Sequence, residues 1–83
     1  MSFYVYVIAT KKHNKLITYV GYTNDLKKRL KLHNTGKGAK FTRGKKWKII
    51  YTEKYITKSK AMSREYFIKK NRKFRNLVKK EFK

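Results

Sequence analysis

Two runs near the start of the chain alternate apolar and polar side chains with the period of a strand. Residues 3–9, Phe-Tyr-Val-Tyr-Val-Ile-Ala, and 16–22, Leu-Ile-Thr-Tyr-Val-Gly-Tyr, are rich in β-branched and aromatic residues and flank the polar stretch Lys11-Lys12-His13-Asn14, which predicts a β-hairpin. With those four residues in the loop, Thr10 faces Lys15, Tyr6 faces Tyr19 and Tyr4 faces Gly21. Alternation then places Phe3, Val5, Val7, Leu16 and Val20 on a core face, and Tyr4, Tyr6, Ile8, Ile17, Tyr19 and Gly21 on the other, where the phenols cluster.

Beyond Thr23 the period becomes helical. Asn24 as N-cap and Asp25 at the positive end start a helix running to about His33, with Arg29 and His33 at i, i+4 on one face. The basic, glycine-containing stretch that follows, through Lys46, predicts a mobile, exposed connection. Residues 47–56 predict a third strand. Ser59 then caps a helix to about Lys70, on which Ala61, Met62, Glu65, Ile68 and Lys69 share one broad stripe, and residues 73–82 add a short final helix.

Composition narrows what such a chain can be. Its 83 residues leave room for one small domain, and with no proline, four glycines and no repeat there is no linker to cut at, so residues 1–83 are expected to form a single unit. Lys and Arg number 25 against 4 Asp and Glu, a net charge of +21 that a polyanion relieves, and nucleic acid is the expected partner. No apolar run reaches the roughly 18–20 residues of a spanning helix, and the N-terminus lacks a signal-peptide core, so a cytoplasmic chain without a membrane partner is expected. Without cysteine, thiolate nucleophiles, zinc fingers and iron–sulfur clusters drop out, leaving hard metals with oxygen ligands. The 40% hydrophobic and 16% aromatic content separates the chain from a disordered polycation.

Five residues invite a chemical reading. Glu65, one of the four acids, lies at the edge of the helical stripe; it is either an intrahelical partner of Lys69 or a carboxylate ligand for a hard divalent cation. Tyr6 and Tyr19 suit cross-strand packing, yet a phenol can serve as base or relay where cations such as Arg29 favour phenolate. Arg29 presents a planar fork matched to a phosphodiester, and His33 is either a proton relay or a half-buried surface histidine. The Gly36-Lys37-Gly38 segment lacks the spacing and the Gly-Lys-Ser/Thr ending of a P-loop. With Lys37, Lys40, Arg43, Lys45 and Lys46 it reads instead as a flexible strip of phosphate contacts, where Phe41 stacks on a base and Trp47 packs in the core. The basic run from Lys69 to Lys80 either tracks backbone or is simply solvated.

These residues together form a pattern: Tyr4-Val5-Tyr6, Tyr19-Val20-Gly21, Thr23-Asn24-Asp25-Leu26-Lys27-Lys28-Arg29-Leu30, His33-Asn34, Gly36 to Gly44, and Ala61-Met62-Ser63-Arg64-Glu65. The pattern resembles the GIY-YIG nuclease superfamily, in particular its small single-domain bacterial members, over residues 3 to about 70. Tyr4 stands where the name motif has its first glycine, and valines replace its isoleucines. The resemblance implies an α+β fold, a three-stranded antiparallel sheet flanked by helices, in agreement with the element order above. It also implies a metal-dependent DNA endonuclease or structure-selective nuclease with a role such as DNA repair, using Mg²⁺ or Mn²⁺ held by Glu65, with Tyr6, Tyr19, Arg29 and His33 completing the catalytic set. DNA is the expected substrate, with RNA left open; a protein partner or a homodimer would supply specificity. The competing expectations are a non-catalytic nucleic-acid-binding module of the same fold and an RNA-associated basic protein.

Overall fold

A computed structural model describes residues 1–82. The chain runs β1 (Phe3–Lys12), β2 (Lys15–Thr23), α1 (Leu26–Asn34), a 3₁₀ turn (Lys40–Thr42), β3 (Lys48–Tyr55), α2 (Lys58–Lys70) and α3 (Arg72–Phe82). The strands form one antiparallel sheet in the order β2-β1-β3, giving the expected α+β architecture.

The hairpin forms with a different register from the one expected. Its loop holds two residues, His13 and Asn14, both at positive φ (51° and 65°), so Lys12 faces Lys15, Tyr6 faces Gly21, Tyr4 faces Thr23 and Tyr19 faces Ile8. Two consecutive left-handed residues match the twist of the flanking strands, and Asn tolerates that conformation. Because the shift is by an even number of residues, every side chain keeps its predicted face.

β1 is central, and Val5, Tyr6, Val7, Ile8 and Ala9 are all buried. The odd-numbered face meets Val20, Ala61 and Ile68 in one cluster, while Tyr6, Ile8 and Trp47 form a second cluster on the even-numbered face with Leu26, Leu30 and Ile49. A bulge opposite Val7 and Ile8 serves both sides. It lets Ile49 turn to the second cluster while Tyr51, Glu53 and Tyr55 face the first.

The helix caps sit near, though not at, the expected residues. Asp25, rather than Asn24, caps α1 by accepting from the Lys28 amide, and Thr57, rather than Ser59, caps α2 through the Lys60 amide. Only Ala61 and Ile68 of the α2 stripe are buried; Met62 is exposed. An ion-paired clamp holds α2 in place of a broad apolar face: Arg64 donates from Nε (2.8 Å) and Nη2 (3.0 Å) to the Glu53 carboxylate, which also accepts from Tyr51 and Tyr55. Burial would raise the Glu53 pKa, but the Arg64 and phenol hydrogen bonds hold the carboxyl below its ordinary value.

Candidate active site

The even-numbered face of β1 carries Tyr6 toward α1. A side chain at position 21 would occupy the space the Tyr6 ring fills, since a Cβ there would come within 2.6 Å of Tyr6 Cζ. Glycine at 21 therefore lets the phenol lie across β2 and reach α1. One helical turn separates Arg29 and His33, and both meet that phenol: Tyr6 Oη lies 2.8 Å from His33 Nε2 and accepts from Arg29 Nε at 3.3 Å. His33 is fully buried, which corrects the half-buried surface reading.

The second ring nitrogen of His33 meets a residue that sequence reasoning did not select. Thr42 Oγ1 lies 2.9 Å from both the Ala39 carbonyl, which also accepts from the Thr42 amide, and His33 Nδ1; when its hydroxyl donates to that carbonyl, its oxygen accepts from Nδ1–H. With Nδ1 carrying the proton, Nε2 offers a lone pair to the Tyr6 hydroxyl. In that tautomer the chain runs from Tyr6 O–H to His33 Nε2 and from His33 Nδ1–H to Thr42. Gly38 packs closely against His33, where a Cβ would come within 2.9 Å of the His33 Cα.

The segment expected to be mobile and exposed is instead tied down at this point. Thr42 is buried, the Trp47 indole donates to the Thr42 carbonyl at 3.0 Å, and Asn34 brackets the Trp47 backbone by accepting from its N–H (2.6 Å) and donating to its C=O (3.2 Å). Trp47 is a core residue, as expected, whereas Phe41 is 53% exposed. Phe41 stacks on Tyr19 (centroids 6.1 Å apart, planes 21°), and Tyr19 in turn leans on His33 at 5.1 Å. Lys37, Lys40, Arg43 and Lys46 are exposed, while Lys45 is half-buried with its ammonium 5.6 Å from the Phe41 centroid.

Electrostatics here favour neutral groups. Burial raises the Tyr6 pKa above 10, and the Arg29 hydrogen bond and charge only partly offset it, so the expected cation-favoured phenolate is not the resting state. Burial, reinforced by the Arg29 charge, lowers the His33 pKa, keeping the imidazole neutral and able to accept a proton.

Glu65 stands apart from this direct network. Its side chain, 19% exposed, pairs with Lys69 Nζ at 3.5 Å, and that ammonium lies 5.9 Å from the Tyr19 ring centroid, on the edge strand β2. The structure thus joins Arg29 and His33 to Tyr6 by hydrogen bonds and Tyr19 to His33 by ring contact, with Glu65 beside them through Lys69 and close enough for its charge to act on Tyr6. Among the described residues no three acidic or histidine side chains converge as a metal cage. One partly exposed carboxylate is nevertheless a donor set that fits a hard divalent ion completed by water and phosphate oxygens.

Comparison with known proteins agrees with this fold. The GIY-YIG catalytic domain family matches residues 2–79. A UPF0213 protein of Oceanobacillus iheyensis is 45% identical over 80 residues, covering 95% of this chain and 90% of its own. A UPF0213 protein of Clostridium perfringens is 48% identical over 68 residues, covering 81% of this chain and 70% of its own. The solution NMR structure of a UPF0213 protein from Bacillus halodurans superimposes with a TM-score of 0.51 at 34% identity, covering all of this chain and 86% of that one.

Proposed function

The chain belongs to the GIY-YIG catalytic domain family, and on that premise we propose that it is a divalent-metal-dependent endonuclease hydrolysing phosphodiester bonds of DNA, with residues 1–83 acting as one nuclease domain. The observation that carries this reading is the hydrogen-bond chain from Tyr6 through His33 to Thr42, beside the Arg29 guanidinium. A phenol alone is a poor base at neutral pH. One whose proton already points at a neutral imidazole can take a proton from water as it gives its own away.

In the proposed reaction, the attacking water transfers a proton to Tyr6 Oη while the Tyr6 proton moves to His33 Nε2. The water oxygen bonds to phosphorus, the bond to the 3′ oxygen breaks, and that oxygen takes a proton from solvent. Arg29 stabilises the charge that grows on the phosphoryl oxygens, and Tyr19 holds the imidazole plane from its outer side. Glu65 would hold Mg²⁺ or Mn²⁺, which supplies Lewis-acid stabilisation of the phosphate and the leaving oxygen. Lys69, whose ammonium lies 3.5 Å from Glu65 Oε2, would be available to the substrate phosphate. Lys37, Lys40, Arg43, Lys45 and Lys46 contact the nucleic-acid backbone, and the open face of Phe41 stacks on a base. Specificity comes from a protein partner or a second copy of the chain.

The test is cleavage of supercoiled and branched DNA by the wild type and Glu65→Gln, with Mg²⁺, Mn²⁺ or EDTA, and binding measured in EDTA. Metal-dependent nicking that the variant loses while binding holds or strengthens is expected. The Glu65–Lys69 ion pair favours one other reading, a structural glutamate in a non-catalytic binding module; binding without cleavage under every condition would establish it.

A further inference from the structure

The far end of the hairpin carries charge that neither the fold nor the reaction requires. Lys12 and Lys15 face each other directly across the two-residue turn, a like-charge pair that destabilises a sheet, and Lys11 adjoins them. All three are exposed. A cleft of about 520 Å³ opens there between Thr10, Lys11 and Lys12 on one side and Gly44, Lys45 and Lys46 on the other. Two further clefts continue from it around the turn: one of about 250 Å³ shares Lys11 and Lys46 and adds Lys48, and one of about 420 Å³ lies between Lys15 and the Lys79–Lys80 end of α3. Glu81 is the one acid on the segments lining them. Of the other acids, Asp25 caps α1, Glu53 holds Arg64 and Glu65 pairs with Lys69.

We propose that this lysine collar is a second nucleic-acid contact, which holds the backbone of the same substrate away from the scissile phosphate. The proposal rests on the reading of the site above and extends it. Lys45 lies over Phe41, and Phe41 stacks on Tyr19, so the collar is continuous with the candidate site. Lys12 shares the face of Tyr6 six residues further along β1, about 20 Å at roughly 3.3 Å per residue. That length corresponds to about six base pairs of duplex. The clefts are lined by lysine and by no arginine, so they offer point charges to phosphates without the bidentate fork that reads bases. The collar therefore adds length and affinity without sequence preference.

The experiment compares the full chain with Lys11→Gln/Lys12→Gln/Lys15→Gln, binding a labelled duplex several helical turns long in EDTA across a range of salt. The slope of log K against log salt should fall by about 2.7, at ~0.9 per lost phosphate contact. The variant should also melt at a higher temperature, because the Lys12–Lys15 repulsion is gone, and arginine at the three positions should restore the slope. An unchanged slope in the folded variant overturns the proposal. So does a loss confined to phosphatidylglycerol vesicles, which would assign the collar to a membrane surface. Because binding is read without metal, a failure of cleavage alone leaves the collar standing and removes only the nuclease reading.

Discussion

Replacing Thr42 by valine removes one oxygen from a buried site and keeps its shape. That oxygen accepts from His33 Nδ1 at 2.9 Å, donates to the Ala39 carbonyl at 2.9 Å and accepts from the Ala39 amide at 3.3 Å. If the imidazole keeps its tautomer, Nδ1–H is buried without an acceptor, a loss of about 1–3 kcal/mol. At ~4–8 °C per kcal/mol for a domain of this size, that is visible in a thermal melt. If the proton moves to Nε2, the loss is smaller, but the Tyr6 oxygen must then accept from His33 and its own hydroxyl proton loses its acceptor. Either route removes the relay, and the cleavage rate should fall by about 10²–10⁴, the usual worth of a positioned proton acceptor. Thr42→Ser keeps the oxygen and should restore most of the rate. The assay is nicking of supercoiled DNA with saturating Mg²⁺, alongside ¹⁵N shifts of the His33 ring, which report the tautomer without any turnover. Wild-type rate and an unchanged ¹⁵N pattern in a folded Thr42→Val protein would refute the assignment of proton positions.

Other outcomes follow from the same contacts. Gly21→Ala should destabilise the chain by about 1–3 kcal/mol through overpacking and displace the Tyr6 phenol from His33, seen as a lower melting temperature and altered Tyr6 ring resonances. The lowered His33 pKa makes the unfolded chain bind more protons below the unfolded value of 6.5. His33 stabilisation should therefore be complete above that pH and fall as acid titrates the window beneath it, a dependence that denaturant titrations of His33→Gln should lack. Glu53→Gln should cost about 2–3 kcal/mol by weakening charge-assisted bonds to Arg64. It should also remove a stabilisation that is full above the unfolded value of 4.5 and lost as pH drops through the lower folded pKa.

The two faces of the hairpin were legible because alternation survives any even shift in register. The register itself was hidden in His13-Asn14, a two-residue turn without glycine, while Lys11 and Lys12 looked like loop by composition although they extend β1. The i, i+4 spacing placed Arg29 and His33 on one face, and both do meet Tyr6. Thr42 and Gly38 gave no such signal: a lone hydroxyl inside a basic run has no period, and its contact with His33 arises from the folding back of a segment that reads as solvated. Met62 shows the converse, since helical spacing put it on the apolar stripe, whereas the Arg64–Glu53 clamp leaves α2 needing only Ala61 and Ile68 in the core.

Tyr6 belongs at once to the core and to the candidate site, and that limits what a motif can testify. Its ring fills the space over Gly21 and joins Ile8 and Trp47 in one of the two buried clusters. A descendant of this chain that had lost all catalysis would still be held to an aromatic ring there by packing, to its hydroxyl by the buried His33 bond, and to glycine opposite it. Glu65 has no such place in the core clusters: it is partly exposed and its ion pair is with a surface lysine. Once catalysis no longer held it, drift would be expected to erase it first. Among proteins built on this plan, the glutamate is therefore a sharper witness to a working enzyme than the tyrosine and glycine from which the pattern takes its name.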